Sequence, residues 1–239
     1  MKKIIAVTNQ KGGIGKTTTA TSIAGILNER GYKTLLIDTD TQCNSSDTYR
    51  AEIEGVPTLY DVLLEEANPV SLKDAIQHTE IGDIVASDLL LCEAGSKLSQ
   101  KGIKGYTKLR TALKDIDGYD YIIIDTPPSL DIMLRNVLIA ADEIIIPMGA
   151  GRYSFQGIND LAETINDSRS LNPDLKIAGA LMVNVKESTN IAKETKEALE
   201  VVKNVLGSKV FSSIIRSSVK VPEAQSCRMT LIKYAKSCN

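Results

Sequence analysis

The chain has 239 residues, which is enough for one large α/β domain or two small ones. Its 28 Lys and Arg against 30 Asp and Glu give a net charge of −2, and 43% of its residues are hydrophobic. This balance excludes an intrinsically disordered chain and a globally basic nucleic-acid coat. A nucleic-acid site would therefore have to be a local patch.

Cysteine and apolar patterns exclude several further classes. The four cysteines form no C-x-x-C pair and have no neighbouring His, which argues against a zinc site and a disulfide framework. No apolar run approaches the roughly 20 residues that span a bilayer. The apolar stretch near the amino terminus is too short for a signal peptide. We therefore expect a soluble cytoplasmic protein.

Apolar runs of strand length alternate with helical patterns along the chain. The runs are Ile4–Thr8, Thr34–Asp38, Ile84–Ala86, Tyr121–Asp125, Glu143–Pro147, Ile177–Asn184 and Val210–Ile215. Several are apolar at nearly every position, which is typical of parallel strands that are covered on both faces. Apolar residues at helical spacing follow Thr17, and recur from Leu130 to Ala141 and from Ala198 to Leu206.

This alternation predicts an α/β fold, a doubly wound and mostly parallel sheet with helices on both faces. No linker rich in Pro, Gly or Ser divides the sequence, so we expect a single domain over residues 1–239. The polar stretch Thr41–Gly82 is the least regular, and we expect it to be an insertion or a mobile segment over one sheet edge.

A glycine-rich segment carries the strongest chemical signal. Gly12-Gly13-Ile14-Gly15-Lys16-Thr17-Thr18 follows the first strand directly and precedes a helical pattern, the placement that phosphate binding requires. Glycines let successive backbone N–H groups face an anion, and the helix start adds free N–H groups and a positive dipole end. We expect Lys16 to contact the β- and γ-phosphates and the Thr17 hydroxyl to coordinate Mg²⁺.

The glycine-rich segment departs from G-x-x-x-x-G-K-[ST], because Gln10 stands at the first glycine position. A glycine-rich turn before an ordinary helix is the alternative interpretation. The strand before it and the helix after it favour a nucleoside triphosphate site.

Lys11 adds a second lysine to the segment. The full K-G-G-x-G-K-T-T pattern reads from Lys11 to Thr18 and resembles the deviant Walker-type ATPases of the ParA/MinD family. The resemblance implies a P-loop ATPase that forms a homodimer with ATP, in which Lys11 contacts the nucleotide of the partner. Two lysines and Mg²⁺ would neutralise the roughly four negative charges of ATP. A solvated surface lysine is the alternative for Lys11.

Two later segments also match the family. Leu35–Gln42 resembles its D-x-D-P-Q segment, which implies that Asp40 orients the attacking water and that Asp38 lies near the metal. Tyr121–Ser129 resembles its Walker B strand, which implies that Asp125 holds Mg²⁺ through the water shell of the ion. Each of these aspartates could instead be an ordinary strand-terminal cap.

The loop after Asp40 departs from the family pattern. Thr41 stands where relatives usually have Pro, and Cys43 stands where they usually have Gly. The loop thereby loses a fixed φ and a permissive hinge. We expect this change to affect the hydrolysis rate and the switching motion, not nucleotide binding.

Candidate base contacts lie in the last third of the chain. The amide of Asn184, at the end of a predicted strand, could bond both the donor and the acceptor edge of adenine, although such an Asn is commonly a turn former. Ile215–Ala224 resembles the loop before the last helix of the family, which implies that Val221 and Pro222 close over the base.

Positive charge is concentrated at the carboxyl end. Residues 216–239 hold five basic side chains and one acid, a net of +4, which leaves −6 on the remainder of a chain whose total is −2. We expect weak, salt-sensitive contact with DNA phosphates. The resemblance implies non-specific DNA binding by ATP-bound dimers, with Arg216 and Lys220 as candidates, and with Lys186 in place of an Arg that relatives commonly have where Ser188 stands. A solvated basic face is the alternative.

The resemblance extends from Lys3 to about Ile232 and implies a partition ATPase. In that function ATP-bound homodimers coat the nucleoid DNA, and a ParB-like partner stimulates hydrolysis and releases them. Because the phosphate loop begins at Lys11, we expect no amino-terminal DNA-binding extension and no operator-specific repression.

Three alternatives share this phosphate loop. A MinD-like regulator needs an amphipathic carboxyl-terminal helix, but Met229–Asn239 has few apolar groups, so no stable membrane association is expected. An iron–sulfur reductase of the nitrogenase iron-protein type needs two placed cysteines, and only Cys92 lies in a plausible stretch. An ATP-dependent synthetase would need a substrate pocket that the sequence does not identify.

Overall fold

The computed structural model describes residues 2–64, 68–149, 157–185 and 191–237, with only the backbone of 191–198 and of 237. Eight strands form one sheet in the order β3-β4-β2-β5-β1-β6-β7-β8. The strands are β1 Lys3–Val7, β2 Thr34–Asp38, β3 Ile76–His78, β4 Asp83–Val85, β5 Tyr121–Asp125, β6 Glu143–Gly149, β7 Lys176–Val185 and β8 Val210–Arg216. The β3 and β4 strands pair antiparallel, and the other neighbours pair in parallel.

Helices connect the parallel strands. They are α1 Lys16–Glu29, α2 Asn44–Thr48, α3 Leu59–Leu64, α4 Ala94–Ser99, α5 Ile103–Tyr106, α6 Lys108–Ala112, α7 Ile132–Ala140, α8 Ile158–Ser168, α9 Ile191–Leu206, α10 Lys220–Ser226 and α11 Leu231–Ser237, with short 3-10 helices at Leu89–Glu93 and Leu113–Asp115. In the part of the chain that the structure describes, none of these helices is long and apolar enough to cross a membrane.

The two faces of the sheet bury separate apolar clusters. In β2, Leu35 and Ile37 join the larger cluster, whereas Leu36 between them joins the smaller one. The smaller cluster also contains Ala20 and Ala24 of α1. Because both faces are covered, the interior positions of the central strands are apolar, and the expected doubly wound arrangement is confirmed.

All seven predicted strands are present, with bounds that differ by a few residues at most. The eighth, β3, was missed because it has three residues, of which only Ile76 is apolar. It pairs antiparallel with β4 at one edge of the sheet. Such a short, polar edge strand has no periodicity that a sequence could reveal.

The stretch Thr41–Gly82, expected to be an insertion or a mobile segment, forms short elements in its described residues. These are α2, α3 and β3, and the side chains of Tyr49, Leu59 and Leu63 are fully buried. Tyr49 caps the five-residue α2, and Leu59 and Leu63 lie on one face of the six-residue α3, so each helix is too short for its apolar pattern to repeat. The expected position at a sheet edge is confirmed, because β3 is an edge strand.

Candidate nucleotide and magnesium site

The loop between β1 and α1 is braced by Asn9. The Asn9 side chain donates to the Pro147 carbonyl oxygen at 2.6 Å and accepts from the backbone N–H of Lys11 at 2.9 Å. Gly13 and Gly15 have φ of +67° and +92°, a backbone conformation that side chains rarely adopt. The β1–α1 loop therefore depends on its glycines for its shape.

The inside of this loop can accept an anion. A Cβ placed on Gly12 or Gly13 would meet no described atom within 4 Å, so there is open space beside these glycines. Among the described residues no side chain caps the start of α1, so its first N–H groups are free for a ligand. Both features fit a bound phosphate group.

Lys16 is the first residue of α1 and is only 7% exposed. Its ammonium group donates to the Lys11 carbonyl oxygen at 3.2 Å. Burial lowers the pKa of Lys16, while the nearby charges of Asp125 and Asp40 raise it. A buried cation at the mouth of the loop is placed to neutralise an anionic ligand.

Two carboxylates lie side by side where the central strands end. Asp38 of β2 and Asp125 of β5 are register partners, and both are fully buried. Burial is the main cause that raises the pKa of Asp38 to about 6 and that of Asp125 to about 7. The charge of Asp38 raises the pKa of Asp125 further. A bound cation would stabilise the charged forms of two adjacent buried carboxylates of this kind.

The hydrogen bonds of these carboxylates leave one oxygen for a ligand. Asp38 Oδ2 accepts from the backbone N–H and the hydroxyl of Ser46, both at 2.8 Å, and Asp125 Oδ2 accepts from the Ser45 hydroxyl at 2.8 Å. A hydrogen bond from the Thr17 hydroxyl lowers the pKa of Asp125, which places that hydroxyl beside the carboxylate. Among the described residues, Asp125 Oδ1 has no hydrogen-bond partner. These oxygen donors fit a hard divalent cation such as Mg²⁺.

Asp40 lies in the same cleft, 8% exposed, and its charge acts on Lys16. Asp40 Oδ1 accepts from the backbone N–H of Gln42 at 3.0 Å, which is the local turn expected of an ordinary strand-terminal Asp. Both interpretations of Asp40 therefore agree with its geometry, and its proximity to Lys16 favours a role at the phosphates.

Cys43, one of the two departures from the family pattern, has φ of 54°. Glycine adopts this conformation without strain, whereas the Cβ of any other residue strains the backbone there. Burial and the charge of Asp38 raise the pKa of the Cys43 thiol to about 11. The thiol is therefore protonated near neutral pH and is a poor nucleophile.

The remaining predicted residues lie at different distances from the loop. The Lys11 side chain is exposed, Ile14 is buried, and Thr18 lines a narrow cleft between α1 and α10 together with Thr17 and Val221. Pro222 is exposed in α10.

Asn184 is exposed with φ of 55°, which suits a turn former. The preceding residue, Val183, has its Cγ2 3.8 Å from the Cβ position of Gly15, so β7 ends beside the loop. Arg216 is exposed at the end of β8, and Lys220 is half-buried at the start of α10. Lys186 lies outside the described residues.

Sequence reasoning missed the roles of Ser45 and Ser46. Two adjacent hydroxyl residues within eight positions of Asp38 were the available signal. It was too weak to use, because serines are common in polar loops and their partners lie on other strands.

Comparison with known proteins identifies the family. A family model described as an AAA domain matches residues 2–177. The chain is 34% identical over 237 residues to the sporulation initiation inhibitor protein Soj of Bacillus subtilis, which covers 98% of this chain and 92% of Soj. It is 34% identical over 243 residues to the chromosome partitioning protein ParA of Caulobacter vibrioides, which covers 99% of this chain and 88% of ParA. The chain belongs to the ParA/Soj family of partition ATPases.

The fold of this chain is also found in an enzyme that is named as a synthase. Cobyrinic acid a,c-diamide synthase from Mycobacterium smegmatis, crystallised with bound ADP and magnesium, has a TM-score of 0.82 and 29% sequence identity to this chain. The match covers 100% of this chain and 97% of the synthase. It confirms the P-loop α/β fold expected from the sequence, and it shows that a synthase can have this architecture.

Proposed function

We propose that this protein is a partition ATPase that binds ATP and Mg²⁺ at the β1–α1 loop and hydrolyses ATP to ADP and phosphate. The observation that carries the proposal is the in-register pair of buried carboxylates, Asp38 and Asp125, beside the loop that holds Lys16 and Thr17. ADP and magnesium in the related synthase support the same pair of ligands.

Each residue has a distinct part in the proposed reaction. Lys16 and the N–H groups of the loop bind the β- and γ-phosphates, and Thr17 with Asp125 and Asp38 holds Mg²⁺. Mg²⁺ held there would supply positive charge that offsets the negative charge of the phosphates. Asp40 orients the attacking water, since a carboxylate within reach of the phosphates can accept its proton. Val221 and Pro222 cover the base, with Asn184 as a further contact.

We propose that ATP joins two copies of the chain. Lys11 is exposed at the mouth of the loop, so its side chain is available to a second molecule. A cation from the partner adds to the one from Lys16, and together they stabilise the charge that develops in the transition state. The ATP-bound homodimer is then the form that acts.

We propose that the dimer binds DNA without sequence preference on the nucleoid, in the cytoplasm, and that a ParB-like partner stimulates hydrolysis. The basic carboxyl end supports the DNA contact, because Arg216 and Lys220 lie at the exposed end of β8 and at the start of α10. Binding through phosphates alone is independent of sequence and weakens steeply with salt.

A DNA-retention assay with ADP, with ATP and with a non-hydrolysable ATP analogue tests the proposal. We expect retention with ATP and with the analogue, and none with ADP. Liposomes in a parallel arm test the MinD-like alternative, which requires membrane binding with ATP. Equal DNA retention in all three nucleotide states would contradict an ATP-controlled DNA-binding function.

A synthase is the second candidate, because the Mycobacterium smegmatis enzyme shares the whole fold. That function would show ATP turnover that depends on a small-molecule acceptor and not on DNA. Turnover stimulated by DNA and a ParB-like protein would exclude it.

A further inference from the structure

The short helix α2 holds both buried carboxylates of the site. Ser45 and Ser46 donate to Asp125 and Asp38, respectively, and the Ser46 hydroxyl also accepts from the backbone N–H of Ser87 at 3.0 Å. A helix of five residues has little stability of its own, so contacts from outside must set its position. The position of α2 therefore determines how the two carboxylates are held.

Two arginines join α2 to the carboxyl-terminal segment, defined here as residues 220–236. Arg228 Nε donates to the Asp47 carbonyl oxygen at 3.3 Å and lies 2.7 Å from Asp47 Oδ1. In return, Arg50 Nε donates to the Arg228 carbonyl oxygen at 3.3 Å. Both arginines have positive φ, 55° for Arg50 and 50° for Arg228, which is uncommon for side chains of this size. Residues with such backbone strain persist only where their surroundings hold them in place. The contact between α2 and the carboxyl-terminal segment therefore has a defined geometry, and it is called the junction below.

This junction contributes little to stability. The side chains of Arg228 and Asp47 are 51% and 56% exposed, and water screens the attraction within an ion pair that is this exposed. A contact that is weak in energy but defined in geometry is better suited to orient α2 than to hold the fold together.

The carboxyl-terminal segment also contacts the helix that follows the phosphate loop. α11 packs against α1 at Gly25, where the Cβ position lies at an ordinary contact distance of 3.5 Å from Ile232 Cδ1. The cleft beside Thr17 is lined by Thr48 of α2 and by Val221 and Met229 of the segment. The carboxyl-terminal segment thus lies against α1, which follows the phosphate loop, and against α2, which bonds the two carboxylates.

We propose that Arg228 is a positioning residue for Mg²⁺ binding, which acts through Asp47 and α2 on the carboxylates of Asp38 and Asp125. The carboxyl-terminal segment sets the position of α2, so contacts made on that segment change the affinity of the site for Mg²⁺. This inference rests on the proposed nucleotide function, since ATP and Mg²⁺ are its ligands.

Calorimetric titration of the full chain with a non-hydrolysable ATP analogue, in EDTA and at increasing Mg²⁺, tests the inference. Arg228→Gly removes the side chain and keeps the positive φ without strain. We expect Ser46→Ala to raise the Mg²⁺ concentration that gives the half-maximal increase in analogue affinity by about tenfold, the loss typical of outer-shell residues. We expect Arg228→Gly to raise it by about threefold, in line with the loss of an exposed ion pair. Analogue affinity in EDTA should not change.

Lys236→Ala is the matched control, because Lys236 pairs with Glu29 of α1 and does not contact α2 in the described structure. We expect it to match the unmodified protein. The double variant of Arg228→Gly and Ser46→Ala should show no more than the larger single effect, because both changes act on one element. Thermal unfolding of each variant checks that it is folded.

A second variant, Asp47→Asn, breaks the same ion pair from the α2 side and should repeat the shift in Mg²⁺ dependence. Unchanged Mg²⁺ dependence in Arg228→Gly and Asp47→Asn would overturn the inference, as would an equal shift in Lys236→Ala. If the unmodified protein fails to bind the analogue at any Mg²⁺ concentration, the proposed function is overturned, and the inference with it.

Discussion

Asp38 and Asp125 are in register at the last positions of β2 and β5, and neither side chain is exposed to solvent. Side chains at matching positions of neighbouring parallel strands lie on the same side of the sheet, so the two carboxylates share one buried environment. The cost of this arrangement is electrostatic, and a bound cation relieves it. The first prediction follows from that cost.

The stability of the protein without Mg²⁺ should depend on pH through this pair. Burial raises the pKa of Asp125 from 3.8 to about 7, so the stability linked to its proton is fully present below the lower value and is lost as pH rises through the upper one. The Asp125→Asn variant has no such proton. We expect the free energy of unfolding of the unmodified protein, relative to Asp125→Asn, to fall between about pH 4 and pH 8.

Urea unfolding in EDTA at several pH values measures this difference, and added Mg²⁺ at the upper pH should reduce it. A difference between the two proteins that stays constant with pH would show that the pKa of Asp125 is not raised.

Lys16→Ala should remove nucleotide binding. Lys16 is buried and its ammonium group donates to the loop backbone at Lys11, and loss of one partner of a buried charge pair weakens binding by about 100-fold. Titration with a fluorescent ATP analogue measures the affinity. Lys11→Ala is the control, because its exposed side chain should affect dimer formation and hydrolysis and leave binding to the single chain intact. Normal ATP affinity in Lys16→Ala would refute the assignment of the loop.

Asp40→Ala should bind ATP and form the dimer, yet hydrolyse ATP about 100-fold more slowly, the effect typical of losing a general base. Single-turnover hydrolysis separates this loss from a binding defect. Cys43→Gly is the comparison variant for the hydrolysis rate. It keeps Asp40 and removes the backbone strain that the positive φ of Cys43 causes in the same loop. Turnover of Asp40→Ala at the rate of the unmodified protein would limit Asp40 to a structural turn.

Lys220→Ala should lose DNA without losing the dimer. Removal of one phosphate contact lowers affinity for all sequences alike and reduces the slope of log affinity against log salt by about one. Filter retention of DNA at several salt concentrations measures both quantities. Lys236→Ala serves as the control, because that lysine is paired with Glu29. An identical salt slope in Lys220→Ala would reject the assignment of Lys220.

Gly105→Ala should destabilise the fold. A Cβ at Gly105 in α5 would collide with the backbone carbonyl oxygen of Leu98, and backbone cannot move aside as a flexible side chain can. We expect a loss of about 2 kcal/mol in the free energy of unfolding, within the range for overpacking.

Gly95→Ala in α4 is the matched control, because its Cβ would meet no described atom within 4 Å. In a helix this change should stabilise by about 0.5–1 kcal/mol. Equal effects of the two alanines in urea unfolding would contradict the close approach at Gly105.

The sequence predicted the central sheet well because burial on both faces demands apolar residues at successive positions in the interior of each strand. Runs such as Tyr121–Asp125 are therefore easy to recognise. The strand β3 lies at the edge of the sheet and has no fully buried residue, so its sequence need not be apolar. The short elements between β2 and β4 were missed for a related reason. Tyr49 caps the five-residue α2, and Leu59 and Leu63 share the six-residue α3, so neither helix is long enough to show a repeated apolar pattern.

The phosphate loop, the family resemblance and the candidate aspartates Asp38, Asp40 and Asp125 were available from the sequence alone, because each lies within a short motif whose residue types the chemistry requires. Only the tertiary structure decided that Ser45 hydrogen-bonds Asp125 and that Arg228 contacts Asp47, pairs separated by 80 and 181 positions. Contacts of that range depend on strand order and helix packing, which bring together residues whose separation in sequence carries no signal. Local chemistry thus predicted the residues of the candidate site, and packing determined which side chains hold them in place.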